Sequence, residues 1–335
     1  MVNRDIVAIG TSAGGVEALL YLAKRLRNSF PASILITIHL PIHFRSSLDE
    51  ILTRSGPLPA TFANEGEVLK KGHIYVAPPG RHLLVDGERL WLGVGPRENS
   101  ARPAIDAMLR SVAVCCGNRA IGVVLTGTLG DGASGLWALS RMGGLTVVQD
   151  PSDAAFPEMP QTALKHLNPD HLVQLADMPA LLESLVHQPV GDPVPVPENL
   201  RYEVEVARNG RVNMNGMDRI GQRSVLTCPD CGGVMWELKE GALSRYRCHL
   251  GHAYGEEVMM VGIDDNLKYA LSTALRALNE RAAIIRKLRD QAHDDGRAEL
   301  AGSWSLKAQE FQREADVIRK AISRLDRTAA QPAEP

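Results

Sequence analysis

The sequence predicts an α/β fold, a doubly wound and mostly parallel sheet, followed by a small cysteine-rich module and a C-terminal helical hairpin. Three observations carry this. Strand-like and helix-like segments alternate from residue 5 to about residue 187, the pattern of a sheet covered by helices. The strand segments IVAIG, ILITI, GVVLT and LTVVQ are continuously apolar, as strands buried on both faces are. Beyond a proline-rich break the periodicity changes, first to a cysteine cluster and then to long amphipathic stripes.

Taken in order, the strand candidates are 5–10, 33–39, 73–77, 90–94, 121–126 and 145–149. The helix candidates are 14–27, 45–54, 104–116, 132–141, 160–166 and 178–187. The first strand runs into Gly10-Thr11-Ser12-Ala13-Gly14-Gly15, after which Val16-Glu17-Ala18-Leu19-Leu20 opens a helical pattern. Residues 188–199 (QPVGDPVPVPEN) carry four prolines and no apolar periodicity, which predicts a stiff, extended linker. Residues 200–226 show little pattern. From about Asp264, Leu267, Leu271, Leu275, Leu278, Ala282, Ile285 and Leu288 recur at helical spacing. After Asp294-Asp295-Gly296 a second stripe follows through Phe311, Ala315, Ile318, Ile322 and Leu325. The two stripes bury each other as a hairpin, or offer a surface for self-association. The expected division is 1–187 for the α/β domain, 188–199 for the linker, 200–260 for the cysteine-rich module, 261–328 for the hairpin and 329–335 for a disordered tail.

Composition bounds the partners. The 335 residues carry a net charge of -2, with 44% hydrophobic and 23% charged residues, so nothing in the charge balance calls for nucleic acid or an anionic membrane. No signal peptide and no bilayer-length apolar run is visible, and a cytoplasmic protein without membrane insertion is expected. Of the five cysteines, the adjacent Cys115 and Cys116 lie in an apolar helical segment and read as buried structural thiols.

In a doubly wound sheet, sites form at the carboxyl ends of strands. There the sequence places Ser12 after the first strand, His39 at the end of the second, and Asp131 in the turn after 121–126. An alcohol, a base and an orienting carboxylate are the group set for acyl transfer. Each also has a structural reading. Ser12 fits a helix N-cap or a phosphate-binding turn, His39 a satisfied core histidine, and Asp131 an N-cap for the helix that follows it. The order Ser, His, Asp departs from that of the α/β-hydrolases, and Ser12 stands where a dinucleotide fingerprint needs its second glycine.

Six successive segments, IVAIGTSAGGVEAL, ITIHLPIHFRSSL, GHIYVAPPGRHLLV, ENSARPAIDAMLRSVA, VVLTGTLGDGASGLWAL and FPEMPQTAL, resemble the catalytic domain of the chemotaxis protein-glutamate methylesterases (CheB-type). The resemblance implies a Ser-His-Asp serine esterase with Ser12 as nucleophile, His39 as base and Asp131 as its partner. It implies hydrolysis of glutamyl methyl esters on methylated chemoreceptors, with release of methanol and no catalytic cofactor, in chemotaxis or chemosensory signal transduction. Glutamine deamidation on the same triad is the alternative activity, and a non-catalytic signalling scaffold the alternative class. The family commonly has threonine where this chain has Ala13, and methionine where it has Thr128. Typical members also carry an N-terminal receiver domain, whereas this chain opens on the catalytic strand, so control by phosphorylation of the same polypeptide is not expected.

The remaining cysteines form a C-x2-C-x16-C unit, Cys228, Cys231 and Cys248, with His249 and His252 beside the last. That spacing suits a closed tetrahedral zinc site, structural rather than catalytic. Cys228, Cys231, Cys248 and His252 are the expected ligands, with His249 competing for the fourth place. The module reads as zinc-ribbon-like, similar to the extension of some receiver-less relatives.

Overall fold

A computed structural model of the protein describes residues 3–39, 46–241 and 243–329. The chain forms β1 (Ile6–Thr11), α1 (Gly15–Ala23), β2 (Ser33–Ile38), α2 (Leu48–Ser55), β3 (Ala60–Phe62), β4 (Ile74–Val76) and the strands β5 (His82–Asp86) and β6 (Arg89–Gly93). It continues through α3 (Ile105–Cys115), β7 (Ala120–Val124), α4 (Ala133–Arg141), β8 (Leu145–Gln149), α5 (Glu158–His166), β9 (His171–Val173) and α6 (Met178–Leu185). Seven strands make one sheet in the order β3-β4-β2-β1-β7-β8-β9, and every neighbouring pair is parallel.

The apolar strands behave as a doubly covered sheet requires. Along β1, Ile6 and Ala8 enter one core with α3, α4 and α5, while Val7 and Ile9 enter the other with α1, α2 and α6. Side chains alternate across a strand, so a run with no polar residue fills both layers. The chain winds outward from β1 through β2, then returns to lay β7 on the other side of β1. The crevice at this reversal of strand order is where such sheets place their sites.

The segment expected at 90–94 is a correction. It does form a strand, β6, but pairs antiparallel with β5 in a separate two-stranded ribbon. The helix expected at 45–54 begins at Leu48, and Arg45 lies outside the described residues, as do 40–44 of the second resemblance segment.

Residues 190–197 have no regular structure, and α7 (Glu198–Asn209) starts at the end of the proline-rich stretch. Neither α7 nor α8 (Met214–Ile220) was expected from the pattern. The buried face of α7 is Leu200, Glu203, Val206 and Ala207, and a glutamate in mid-stripe hides its periodicity. Then β10 (Gln222–Thr227), β11 (Val234–Glu240), β12 (Leu243–Cys248) and β13 (Ala253–Gly255) form an antiparallel four-stranded sheet. All of this to Met259 is one compact unit.

That unit holds a buried charge network. Glu98 accepts from Arg110 and, at 3.0 Å, from Arg247; Arg247 also reaches Glu203 at 2.9 Å. Arg245 binds Glu203 at 2.8 Å and also pairs with Glu240. All six side chains are buried.

The second unit starts at Met260. It comprises most of α9 (Glu256–Asp294), together with α10 (Ala298–Ala329). The two run antiparallel: Lys268 pairs with Asp326 at 3.3 Å, Arg281 stacks on Phe311 at 4.3 Å, and Arg286 donates to Gln312 at 2.8 Å. The buried residues are mostly small, Ala282, Ala292, Ala301, Ala308 and Ala315 together with Phe311, whereas Leu267 and Leu288 stay exposed. The expected tail lies outside the described residues from position 330 onward. No helix among the described residues is long and apolar enough to cross a membrane.

Candidate active site

The three residues from three strand ends meet. Ser12 directly follows β1, and its N–H is held by the Thr126 carbonyl at 3.0 Å, just beyond β7. His39 follows β2 and places Nδ1 3.2 Å from Ser12 Oγ. On the other side of the ring, Nε2 is 2.8 Å from Asp131 Oδ2. With its proton on Nε2, facing the carboxylate, the imidazole offers a lone pair on Nδ1 to the serine hydroxyl. The His39 side chain is 23% exposed and that of Asp131 2%, so the relay runs from a buried charge to an accessible alcohol.

The aspartate is fully committed. Oδ2 also accepts from the Ile105 N–H at 2.7 Å, and Oδ1 accepts from the Asp106 N–H at 3.1 Å and from Asn99 Nδ2 at 3.0 Å. Burial alone would raise the Asp131 carboxyl; the hydrogen bond and charge of His39, with the Ile105 and Asn99 bonds, hold it below the ordinary value. The expected N-cap role for the helix that follows Asp131 is not filled. Asp131 caps α3, whose first N–H groups it accepts, and not α4, which it precedes. Asp106 returns the arrangement, with Oδ1 accepting the Gly132 and Gly135 N–H groups at the start of α4, at 3.0 and 2.7 Å. Burial, and then the Asp131 charge, push the Asp106 carboxyl up to about 7.

The turns around Ser12 are braced from β7. Thr126 Oγ1 donates to the Ala13 carbonyl at 3.0 Å and accepts the Phe156 N–H at 2.9 Å. Gly127 permits the approach, because a Cβ there would lie 2.1 Å from Met159 Sδ and 2.9 Å from Ser12 Cβ. Gly127→Ala is expected to cost about 1–3 kcal/mol of stability and to displace Ser12, lowering kcat by about 100-fold. Urea unfolding and initial rates check the two parts separately, and an unaltered kcat would remove the close-packing argument.

The second cluster is Cys228, Cys231, Cys248 and His252, whose ligand atoms all lie within 4.8 Å of one another. Two tight turns present them. In one the Gly232 N–H returns to the Cys228 carbonyl at 2.8 Å, and in the other the Gly251 N–H returns to the Cys248 carbonyl at 2.8 Å. Both glycines have positive φ, 69° and 95°, a conformation that side chains resist. The second turn brings in His252, with Nδ1 3.5 Å from Cys248 Sγ and 3.7 Å from Cys228 Sγ; Cys231 and Cys248 sulfurs are 3.7 Å apart. Metal bonds of about 2.1–2.3 Å in a tetrahedron imply ligand separations of about 3.4–3.8 Å, the range of these three distances, and the four residues could hold a metal ion. The hydrogen bond shared with Cys248 draws the Cys228 thiol down, against its burial, and pushes the Cys248 thiol up. His249 stands apart from the cluster, its ring against Gly233.

Sequence reasoning missed Asn99 and Asp106. Both lie in the segment ENSARPAID, and only the resemblance pointed there.

Comparison with known proteins points to one family. The family model described as CheB methylesterase matches residues 7–182. A putative protein-glutamate methylesterase/protein-glutamine glutaminase of Leptospira interrogans is 34% identical over 174 residues, 52% of this chain and 90% of that protein. A protein-glutamate methylesterase/protein-glutamine glutaminase of Myxococcus xanthus is 38% identical over 178 residues, 53% of this chain but 50% of its own length. The crystal structure of the Thermotoga maritima CheB methylesterase catalytic domain superposes with a TM-score of 0.53 at 30% identity, covering 55% of this chain and 100% of that one.

Proposed function

The chain belongs to the CheB methylesterase family, and from that premise we propose that it is a serine hydrolase acting on protein glutamyl methyl esters. The observation that carries the reading is the unbroken relay from Ser12 Oγ through the His39 ring to Asp131, at 3.2 and 2.8 Å. His39 Nδ1 takes the serine proton as Oγ attacks the ester carbonyl, and Asp131 stabilises the imidazolium. The Ala13 and Gly14 N–H groups, at the opening of α1, suit the oxyanion. Collapse expels methanol, protonated by His39. Water then attacks the acyl-enzyme with His39 again as base, freeing the glutamate and Ser12.

The substrate proposed is a methylated chemoreceptor, in the cytoplasm, as part of chemosensory signalling. Glutamine deamidation is the second reading, because an amide carbonyl meets the same nucleophile and relatives bear both activities in their names. Methanol release from methylated receptor and ammonia release from its glutaminyl form distinguish the two. Absence of both products would end the hydrolase reading. Self-association through α9 and α10 is proposed on the exposed Leu267 and Leu288, and a monomer in sedimentation would refute it.

For the Cys3His cluster we propose a structural zinc ion. Its ligands supply much of the apolar core of their module, with Met235, Tyr254, Val258 and Met259, so metal would contribute to folding there. Purified protein is expected to carry one zinc per chain by elemental analysis, and Cys248→Ser to lose it. Equal metal content in that variant would refute the assignment.

A further inference from the structure

Asn99 belongs to neither cluster, yet it links Asp131 of the first to β13, the strand that follows the second. Its Nδ2 donates to Asp131 Oδ1 at 3.0 Å and to Asp106 Oδ2 at 2.9 Å. Its Oδ1 accepts the Gly255 N–H at 2.9 Å, and its own N–H donates to the Ala253 carbonyl at 2.7 Å. Ala253 and Gly255 are the ends of β13, the strand that begins immediately after His252. The Ala253 N–H reaches the Arg97 carbonyl at 3.3 Å, and Glu98 bridges Ala253 in parallel pairing. The short segment around Asn99 thus extends the edge of the module's sheet.

We propose that Asn99 is the positioning residue of the triad, and that β13 sets Asn99, so that the Cys3His module controls where the Asp131 carboxylate points. Three features support this. Asn99 and Ser100 both have positive φ, 49° and 63°, a strained pair that persists only where surroundings over-determine it. Here the β13 pairing does so. Both N–H donors of the Asn99 amide are used and its oxygen accepts the Gly255 N–H, so the oxygen and nitrogen cannot exchange without facing Gly255 with a donor and the carboxylates with an acceptor. A second contact points the same way: Leu129, two residues before Asp131, packs on the core made by Cys228, Cys248 and Tyr254. From ligand to triad the path is short. It runs from His252 to its neighbour Ala253, across one hydrogen bond to Asn99, and across a second to Asp131.

The proposal rests on the hydrolase reading, and its test does not depend wholly on turnover. In the full-length, metal-loaded protein, Asn99→Gly removes the amide while relieving the backbone. It is expected to lower kcat by about 10–100-fold with KM little changed. The low-field proton resonance of the His39–Asp131 hydrogen bond is expected to move or vanish. Asn99→Asp keeps an acceptor for Gly255 but loses both donors, and should give the same signature if the glycine variant folds poorly. Gly255→Pro removes the N–H that orients Asn99, with Gly255→Ala as its control. The proline variant should show the same split, and adding it to Asn99→Gly should cost nothing further. Wild-type kcat with an unmoved resonance in Asn99→Gly, or additive losses in the double variant, would overturn the proposal. A wild-type protein that releases neither methanol nor ammonia would defeat the hydrolase reading while the resonance still reports on Asn99.

Discussion

Ser12→Ala is expected to reduce kcat for methyl-ester hydrolysis by about 10^6-fold, with His39→Ala close behind. In the proposed mechanism the two groups act as a unit, since the hydroxyl at 3.2 Å from Nδ1 is a nucleophile only while that nitrogen can take its proton. The double variant should therefore be no slower than either single one. Single-turnover methanol release separates the effect from binding, because the serine variant should still bind methylated receptor. Retention of activity within tenfold in Ser12→Ala would sink the assignment of nucleophile.

Asp131→Asn is the more discriminating member of the same series. Both carboxylate oxygens accept, Oδ2 from Ile105 and His39, Oδ1 from Asp106 and Asn99. An amide must turn its NH2 toward one of these donor pairs in either rotamer. The substitution thus either presents His39 with the wrong partner or disturbs the cap of α3. A loss of about 10^4 in kcat is expected, together with about 1 kcal/mol of stability from the cap.

The layered sheet was legible because its strands are apolar without interruption, and the meeting of Ser12, His39 and Asp131 because each follows such a strand. Legibility failed where tertiary contacts replace local pattern. Helix α7 carries Glu203 on its buried face, which reads as surface until Arg245 and Arg247 are known to wait there. Strands β5 and β6 have strand-like composition, but nothing local says that they leave the main sheet. The cysteine spacing pointed to the Cys3His cluster, while which of His249 and His252 joins it depends on how Gly251 turns the chain. Asn99 carries no local signal, since its meaning lies in two carboxylates and a strand distant in sequence.

Arg247→Met is the variant expected to destabilise the fold most, by about 3–5 kcal/mol at pH 7. Arg247 is fully buried between Glu98 and Glu203, at 3.0 and 2.9 Å, and also donates to the Gly251 carbonyl at 2.8 Å. Its removal leaves two buried carboxylates short of a partner. Burial would raise both; Arg110 and Arg247 hold the Glu98 carboxyl far below its ordinary value, and Arg245, Arg247 and Arg110 bring Glu203 down to about 2. A carboxyl depressed in this way contributes stability above the unfolded value of about 4.5, lost as pH falls through the folded value. Asp106, raised to about 7, acts with the opposite sign: its contribution favours folding at low pH and is lost as pH rises through 7. Wild-type stability should therefore rise gently from pH 8 toward pH 5 and fall steeply below 4. In Arg247→Met the two glutamates can take protons in the folded state, so the gap between variant and wild type should narrow as pH falls below 5. Urea midpoints at pH 7 and pH 4 measure this, and a gap equal at both would assign the loss to packing. Adding Glu98→Gln to Arg247→Met should recover part of the loss at pH 7, because one uncompensated charge is then gone.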